Sequence, residues 1–208
     1  MFKKFSNMMF GNAEKEAIRQ RFDEAMSLDR FIINLNHDDL ENHRYTDTLL
    51  VTCVDFRFRG EIGKLMNDIF CLLGDYDEIA LPGASLALVE GAYPHWGQTI
   101  TEVVNVLKKI HHIKRVVFLD HRDCGAYKFF KGKDAVANKE VETKTHKEVF
   151  KEARKYMKKN FPELDIYTLL IGLDGIVENF KEDSFEEIYT YQYFRAMCYK
   201  NLGNNKMA

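Results

Sequence analysis

The chain has 208 residues, close to the length of one domain, and 46% of its residues are hydrophobic while 30% are charged. Such a chain can bury a sizeable core, which excludes disorder over most of its length. Its 30 basic and 32 acidic residues leave a formal charge of -2, so neither nucleic acid nor an anionic membrane is an expected partner. We interpret residues 1–208 as a single domain with an N-terminal helical arm to about residue 44 and a flexible tail from about residue 201.

The sequence contains no stretch near the roughly 20 apolar residues that a membrane helix requires, and its first apolar segment is too short for a secretory signal. We therefore expect a soluble, cytoplasmic protein. Its four cysteines lie far apart, and in a reducing compartment such cysteines are core residues, metal ligands or nucleophiles. Cys71 and Cys198 have no ligand-type neighbours in the sequence and are expected in the core.

The first predicted element is a helix over residues 12–36. Apolar residues recur there every three or four positions, which predicts one buried stripe (Ala17, Ile18, Phe22, Ala25, Met26 and Phe31). Short apolar or β-branched runs then predict four strands, at residues 48–52, 78–81, 115–120 and 166–173. The segment 86–98 is interpreted as a surface loop that packs the only Trp of the chain.

Two further helices are predicted between the later strands. Residues 99–110 carry one apolar face, and residues 141–160 form a charged helix with a short inner face (Val149, Phe150, Ala153 and Met157). Strands that alternate with helices predict an α/β fold, with a mostly parallel central sheet of about four to five strands flanked by helices.

Candidate site residues follow two of the predicted strands. Cys53, Asp55 and Arg57 alternate directly after the first strand, so an extended chain places them on one side. His121 and Cys124 follow the third strand, where a turn can bring them together. If these strands are neighbours, Cys53, His121 and Cys124 converge at the carboxyl edge of the sheet, with a fourth position left for water or Asp55. Two thiolates and one imidazole form a ligand set that suits Zn²⁺.

Each half of this site has a simpler interpretation when it is taken alone. A cysteine after a strand is more often a small buried hydrophobic residue, and a single histidine is more often hydrogen-bonded in the core. Asp55 and Arg57 could likewise form a structural ion pair. A thiol redox protein is disfavoured because the sequence has no C-x-x-C pair. Four other histidines give no signal of a role (His37, His43, His95 and His146).

The two motifs together resemble the signature of the beta class carbonic anhydrases, C-x-D-x-R with a downstream H-x-x-C-G. They stand here as Cys53-Val-Asp55-Phe-Arg57 and His121-Arg-Asp-Cys124-Gly125, within a looser similarity over about residues 48–175. The resemblance implies that Cys53, His121 and Cys124 bind zinc, and that Asp55 and Arg57 form a catalytic dyad beside the metal. It also implies a homodimer or larger homo-oligomer, with N-terminal helices that embrace the partner.

The activity that the resemblance implies is that of a zinc lyase, which hydrates carbon dioxide reversibly to bicarbonate by means of a zinc-bound hydroxide. Asp55 would orient the hydroxide, and Arg57 would hold the Asp55 carboxylate ionised. Without Arg57, Asp55 could instead move onto the metal as a fourth ligand. The family is known in both arrangements, and the sequence leaves both open.

The sequence departs from the family pattern after the second strand. The family usually has Arg-x-Ala-Gly-Asn there, whereas residues 80–85 read ALPGAS, and only Gly83 is kept. Gly83 and Gly125 are the expected substrate-binding positions, and Arg44 falls where many members have a Gln that contacts substrate. These departures leave two alternatives open: hydrolysis of a related linear substrate such as carbon disulfide or carbonyl sulfide, and a non-catalytic zinc-binding protein.

Overall fold

A computed structural model describes residues 12–26, 45–72 and 74–180 of the chain. The chain divides into two compact units, one up to residue 43 and the other from residue 44 onward. The described part of the first unit is one helix, α1 (Asn12–Met26). It confirms the first part of the predicted arm helix, while residues 27–36 lie outside the described residues. The interpretation of the whole chain as a single domain stays a prediction.

The predicted buried stripe of α1 is wrong at the three of its residues whose side chains the structure describes. Ala17 is exposed, and Phe22 and Met26 are 62% and 55% exposed. The physical reason is that a lone amphipathic helix gains little from its apolar face until another surface covers that face.

The second unit is built on a five-stranded sheet. The strands are β1 (Thr48–Thr52), β2 (Asp77–Ala80), β3 (Arg115–His121), β4 (Asp165–Ile171) and β5 (Val177–Asn179). Their order is β2-β1-β3-β4-β5, with the first four parallel and β5 antiparallel to β4. The predicted fold class and four of the strands are confirmed, with ends that shift by at most two residues. The sequence did not predict β5, because three residues reading VEN carry no apolar pattern.

The two central strands are buried on both faces, which explains their continuous apolar sequences. All five residues of β1 are buried, as are all residues of β3 except the first. On one face of the sheet, Leu49 and Val51 pack in a cluster that includes residues of three helices: α3 (Ser85–Val89), α4 (Pro94–Ile110) and α6 (Lys139–Asn160).

The opposite face of the sheet is covered by the segment that follows β1. This segment contains a 3₁₀ turn (Phe56–Phe58), the short helix α2 (Arg59–Lys64) and a π-helical turn (Leu65–Ile69). Its apolar residues Phe58 and Ile62 pack against Leu50 and Val117 of the central strands. The sheet therefore lies between two helical layers, as the alternation of strands and helices predicts.

The surface loop that the sequence predicts over residues 86–98 is wrong. Helices α3 and α4 occupy this segment, and Leu86 and Ala87 are fully buried. Pro94 starts α4, five residues before the predicted beginning, since proline at the first helical turn loses no hydrogen bond. Trp96 stacks on Tyr93 with 4.7 Å between the ring centroids.

Helix α6 is confirmed, and each residue of its predicted inner face is buried (Val149, Phe150, Ala153 and Met157). It begins after Asn138, whose side chain accepts a hydrogen bond from the Val141 amide. Helix α5 (Gly125–Lys131), between β3 and α6, was not predicted.

The expected core position of Cys71 is wrong, because this residue is only half-buried. Cys198 lies outside the described residues. Among the helices that the structure describes, none combines the length and the apolarity needed to cross a bilayer.

The contact between α3 and α4 yields a test of the packing. A Cβ atom added at Gly97 would lie 2.5 Å from the carbonyl oxygen of Leu88, whereas one added at Gly63 in α2 meets nothing within 4 Å. We expect Gly97→Ala to lower the free energy of unfolding by about 1–3 kcal/mol through overpacking. Gly63→Ala, the matched control, should raise it by up to about 1 kcal/mol, because alanine favours the helix. Urea denaturation followed by circular dichroism measures both, and equal values would contradict the close contact.

Candidate metal centre

The three predicted metal ligands meet at the carboxyl edge of the central strands. Cys53 directly follows β1, His121 is the last residue of β3, and Cys124 comes three residues later. Because β1 and β3 are parallel neighbours, their ends lie side by side. One potential ligand atom from each residue lies within 4.8 Å of the others, and the two Sγ atoms are 3.9 Å apart. The side chains that the sequence predicts to converge therefore do so, and all three are buried.

The turn after β3 brings Cys124 back towards His121. Asp123 has a φ of 58°, a left-handed conformation that aspartate tolerates better than most residues. Cys124 then adopts an extended conformation and precedes the first residue of α5. The three-residue spacing of His121 and Cys124 in the H-x-x-C motif is thus satisfied by one tight turn.

The hydrogen bonding of His121 fits metal binding. Its Nδ1 donates to the carbonyl oxygen of Arg122 at 2.9 Å, which leaves the lone pair on Nε2. Nε2 is buried and has no hydrogen-bond partner among the residues that the structure describes. A buried polar atom without a partner is costly, and a metal ion held by this nitrogen and the two sulfurs would remove that cost. A Cys₂His donor set is one that Zn²⁺ accepts.

The two thiols have opposite electrostatic tendencies without a metal. The contact with Cys124 lowers the pKa of Cys53 to about 4, with help from His121 and the Gly83 amide. The same contact, together with burial, raises the pKa of Cys124 well above its ordinary value. Two neighbouring buried thiolates repel one another, so a cation is needed for both sulfurs to be ionised together.

Asp55 lies beside this group and faces Arg57. The guanidinium makes a forked contact, with Nε 3.0 Å from Oδ1 and Nη2 2.7 Å from Oδ2, and the Arg57 amide also donates to Oδ1. These hydrogen bonds lower the pKa of Asp55 to about 2, so the carboxylate is ionised at neutral pH. Its Oδ2 lies 3.7 Å from Nε2 of His121, outside the group of three ligand atoms.

Arg57 has a second carboxylate partner that sequence analysis did not single out. Its Nη1 donates to Oδ2 of Asp123 at 3.0 Å, and Asp123 also forms an ion pair with Lys128. The amide of Asp123 donates to Oε1 of Glu142 at 2.6 Å, which connects the turn to α6. Asp123 lies inside the H-x-x-C motif, so its position in the sequence could have indicated that it is near the ligands. Glu142 gives no such signal, because it lies in a charged helix that resembles an ordinary solvated surface.

Gly83 and Gly125, the expected substrate-binding positions, both adjoin the ligands. The Gly83 amide donates to Sγ of Cys53 at 3.3 Å, and its φ of 82° favours glycine. Gly125 directly follows Cys124 as the first residue of α5. Contact of either glycine with substrate stays a prediction, and Arg44 lies outside the described residues.

The chain is similar to known proteins in sequence and in structure. A family model described as "Putative carbonic anhydrase" matches residues 43–181. An uncharacterized protein of Rickettsia bellii is 45% identical over 150 residues, which cover 72% of this chain and 91% of that protein. Among solved structures, a beta-carbonic anhydrase of Aspergillus fumigatus is 14% identical with a TM-score of 0.47, over 91% of this chain and 94% of that one. A tetrameric beta-carbonic anhydrase of Sordaria macrospora is 13% identical with a TM-score of 0.46, over 80% and 94%.

Removal of one sulfur tests the ligand group. We expect Cys53→Ser and Cys124→Ser each to lose bound zinc and to unfold at lower urea concentration, because the free energy of metal binding contributes to folding. Zinc content is measured by mass spectrometry of the purified protein. Thr52→Ser is the matched control, since it perturbs the same buried strand end and leaves all three ligand atoms in place. A full zinc complement in either cysteine variant would contradict the assignment.

Proposed function

Because this chain belongs to the carbonic anhydrase family whose model matches residues 43–181, we propose that it is a beta class carbonic anhydrase that hydrates carbon dioxide reversibly to bicarbonate. The observation that carries the proposal is the buried Cys₂His group with an ionised Asp–Arg pair at its side. A purely structural ion pair has no need of a nearby buried histidine nitrogen that lacks a hydrogen-bond partner among the described residues. The combination of the Asp55–Arg57 pair with Nε2 of His121 therefore favours a reactive site.

In the proposed enzyme, Sγ of Cys53, Nε2 of His121 and Sγ of Cys124 hold the metal. Zinc, when bound, supplies a Lewis acid that lowers the pKa of a coordinated water towards neutrality. Two thiolates cancel the formal charge of Zn²⁺, so this acidification is weaker than with three imidazoles and a neighbouring acceptor matters more.

Asp55 is the proposed acceptor, and Arg57 is its positioning partner. The ionised carboxylate accepts a hydrogen bond from the attacking group and orients it towards the carbon of the substrate. The forked contact with Arg57 keeps Asp55 ionised and engages both of its carboxylate oxygens, with Oδ2 at 3.7 Å from Nε2 of His121. This contact supports the arrangement in which the fourth metal position is open, rather than the one in which Asp55 fills it.

One observation favours a second candidate, the hydrolysis of a related linear substrate. Cys53 and Cys124 pack in a cluster with the apolar side chains of Ala84 and Leu86, in the segment where the family usually has Arg and Asn. Apolar packing around the two sulfurs suits a substrate such as carbon disulfide or carbonyl sulfide, which needs fewer hydrogen bonds than bicarbonate.

We further propose a cytoplasmic homodimer or larger homo-oligomer. Val54 and Phe56 flank the Asp55 position and are 53% and 84% exposed in the single chain. Large apolar side chains beside a site are typical of a surface that another subunit covers. Sedimentation of the protein determines its oligomeric state, and a monomer at micromolar concentration would contradict this part of the proposal.

The first test of activity is stopped-flow hydration of carbon dioxide by protein of verified zinc content, from about pH 7 to about pH 9. We expect turnover well above the buffer rate that rises with pH. Because the pKa of Asp55 is about 2, this carboxylate keeps its charge throughout the pH range. The rise of turnover with pH therefore reports the deprotonation of another group. Absent turnover with a full zinc complement would contradict carbon dioxide hydration. Sulfide release from carbonyl sulfide or carbon disulfide would then support the second candidate, and its absence would indicate a non-catalytic protein.

A substitution tests the role of Asp55. Asp55→Asn should retain zinc and lose about 100-fold or more in kcat, because the amide accepts hydrogen bonds less strongly and no longer pairs with Arg57. Asp134→Asn, in an exposed 3₁₀ turn, is the matched control and should leave kcat unchanged. An Asp55→Asn protein with unchanged turnover would show that Asp55 and Arg57 form only a structural pair.

A further inference from the structure

A buried carboxylate adjoins the candidate metal centre, one residue before a proposed ligand. Asp120, the residue before His121, is 1% exposed. The amide of Ser85 donates to its Oδ1 at 3.0 Å, and the Ser85 hydroxyl donates to its Oδ2 at 2.6 Å. The hydroxyl of Tyr127 and Nδ1 of His146 also bond to Oδ2, at 2.6 and 3.1 Å. Four polar groups therefore meet at one side chain.

The partners of Asp120 come from one segment that contacts Cys53 and from one that directly follows Cys124. Ser85 starts α3 two residues after Gly83, whose amide contacts Sγ of Cys53. Tyr127 lies in the first turn of α5, which begins directly after Cys124. Since Asp120 itself adjoins His121, one carboxylate connects the segments of His121 and Cys124 with the turn whose Gly83 amide contacts Sγ of Cys53.

The network is closed to solvent. Ser85, Tyr127 and His146 are each fully buried, and the His146 ring lies 4.0 Å from that of Tyr127, centroid to centroid. Burial and the charge of Asp120 raise the pKa of Tyr127 well above its ordinary value, so the phenol keeps its proton and donates it. Burying a carboxylate is costly, and the four hydrogen bonds to Asp120 compensate for that cost and hold their donors in one arrangement. Nε2 of His146 has no hydrogen-bond partner among the described residues.

From this geometry we propose that Asp120 is a positioning residue of the metal centre. It does not touch the metal or the substrate. It acts through Ser85 and Tyr127, holding the turn before α3 and the start of α5 at the spacing that lets both sulfurs and the His121 nitrogen bind one ion. The proposal rests on the ligand assignment made above for the proposed function, and it does not depend on which substrate reacts.

The decisive measurement is the zinc affinity of Asp120→Asn, determined by competition with a chelator. Loss of a residue that orients metal ligands typically costs about 10- to 100-fold in affinity, and we expect a fall of that size. Tyr127→Phe removes one hydroxyl and keeps the ring, so its affinity should fall by about three- to tenfold. It also keeps the proposal testable if Asp120→Asn does not fold.

A double variant shows whether the two residues act as one unit. If Tyr127 acts through Asp120, zinc binds to Asp120→Asn/Tyr127→Phe about as tightly as to Asp120→Asn alone. Independent effects that multiply would contradict the shared network.

A matched control separates positioning from general stability. Val104→Ala shortens a fully buried side chain of α4 in the cluster that contains Leu49 and Val51, and should lower stability while zinc affinity changes by less than about twofold. Cobalt substitution adds a spectroscopic test: the visible absorption of the bound ion should shift in Asp120→Asn and stay unchanged in Val104→Ala, because it reports ligand geometry.

Two outcomes overturn the proposal. One is unchanged zinc affinity and an unchanged cobalt spectrum in both Asp120→Asn and Tyr127→Phe. The other is an equal loss of affinity in Val104→Ala, which would assign the effect to stability alone. Absent turnover in a parent protein that binds zinc fully would instead contradict only the proposed reaction, so the two failures are distinguishable.

Discussion

The parallel pairing of β1 with β3 is the constraint on which the candidate site depends. Thr52, the last residue of β1, pairs with Leu119 near the end of β3, so the chain leaves both strands at the same edge of the sheet. Cys53 and His121 are thereby adjacent although 68 positions separate them in the sequence. Burial of both central strands on two faces makes this register costly to change, because a shift would move apolar side chains out of their clusters.

The charged groups around this edge constrain the segments that carry them. Two thiols, the Asp55 carboxylate and the Asp120 carboxylate lie close together, and each has a specific compensating partner: a cation for the sulfurs, Arg57 for Asp55, and a set of buried donors for Asp120. Leaving any one of these groups unpaired would destabilise the folded protein by more free energy than an exposed ion pair contributes to its stability. The need to compensate these charges therefore also holds the segments of the site in place.

The sequence predicts the features that local pattern controls. Apolar runs located β1 and β3, and the spacing within C-x-D-x-R and H-x-x-C located the ligand group. The helical fold of residues 86–98 was missed because its helix α3 is only five residues long and its Trp suggested a loop. The role of His146 was missed for another reason: it meets Asp120 only through the packing of α6 against the sheet, 26 positions away, and no local pattern encodes such a contact.

The pairing of Arg57 with two carboxylates has an electrostatic consequence for turnover. Arg57 and Lys128 carry two positive charges, and Asp55 and Asp123 carry two negative charges. The net charge of these four side chains is therefore close to zero. A free guanidinium beside the reaction centre would attract an anion and slow its departure. Because two carboxylates compensate its charge, Arg57 retains its hydrogen-bonding geometry and does not bind anions strongly. If the reaction produces bicarbonate, this product would thus leave past side chains that create no strong electrostatic field of either sign.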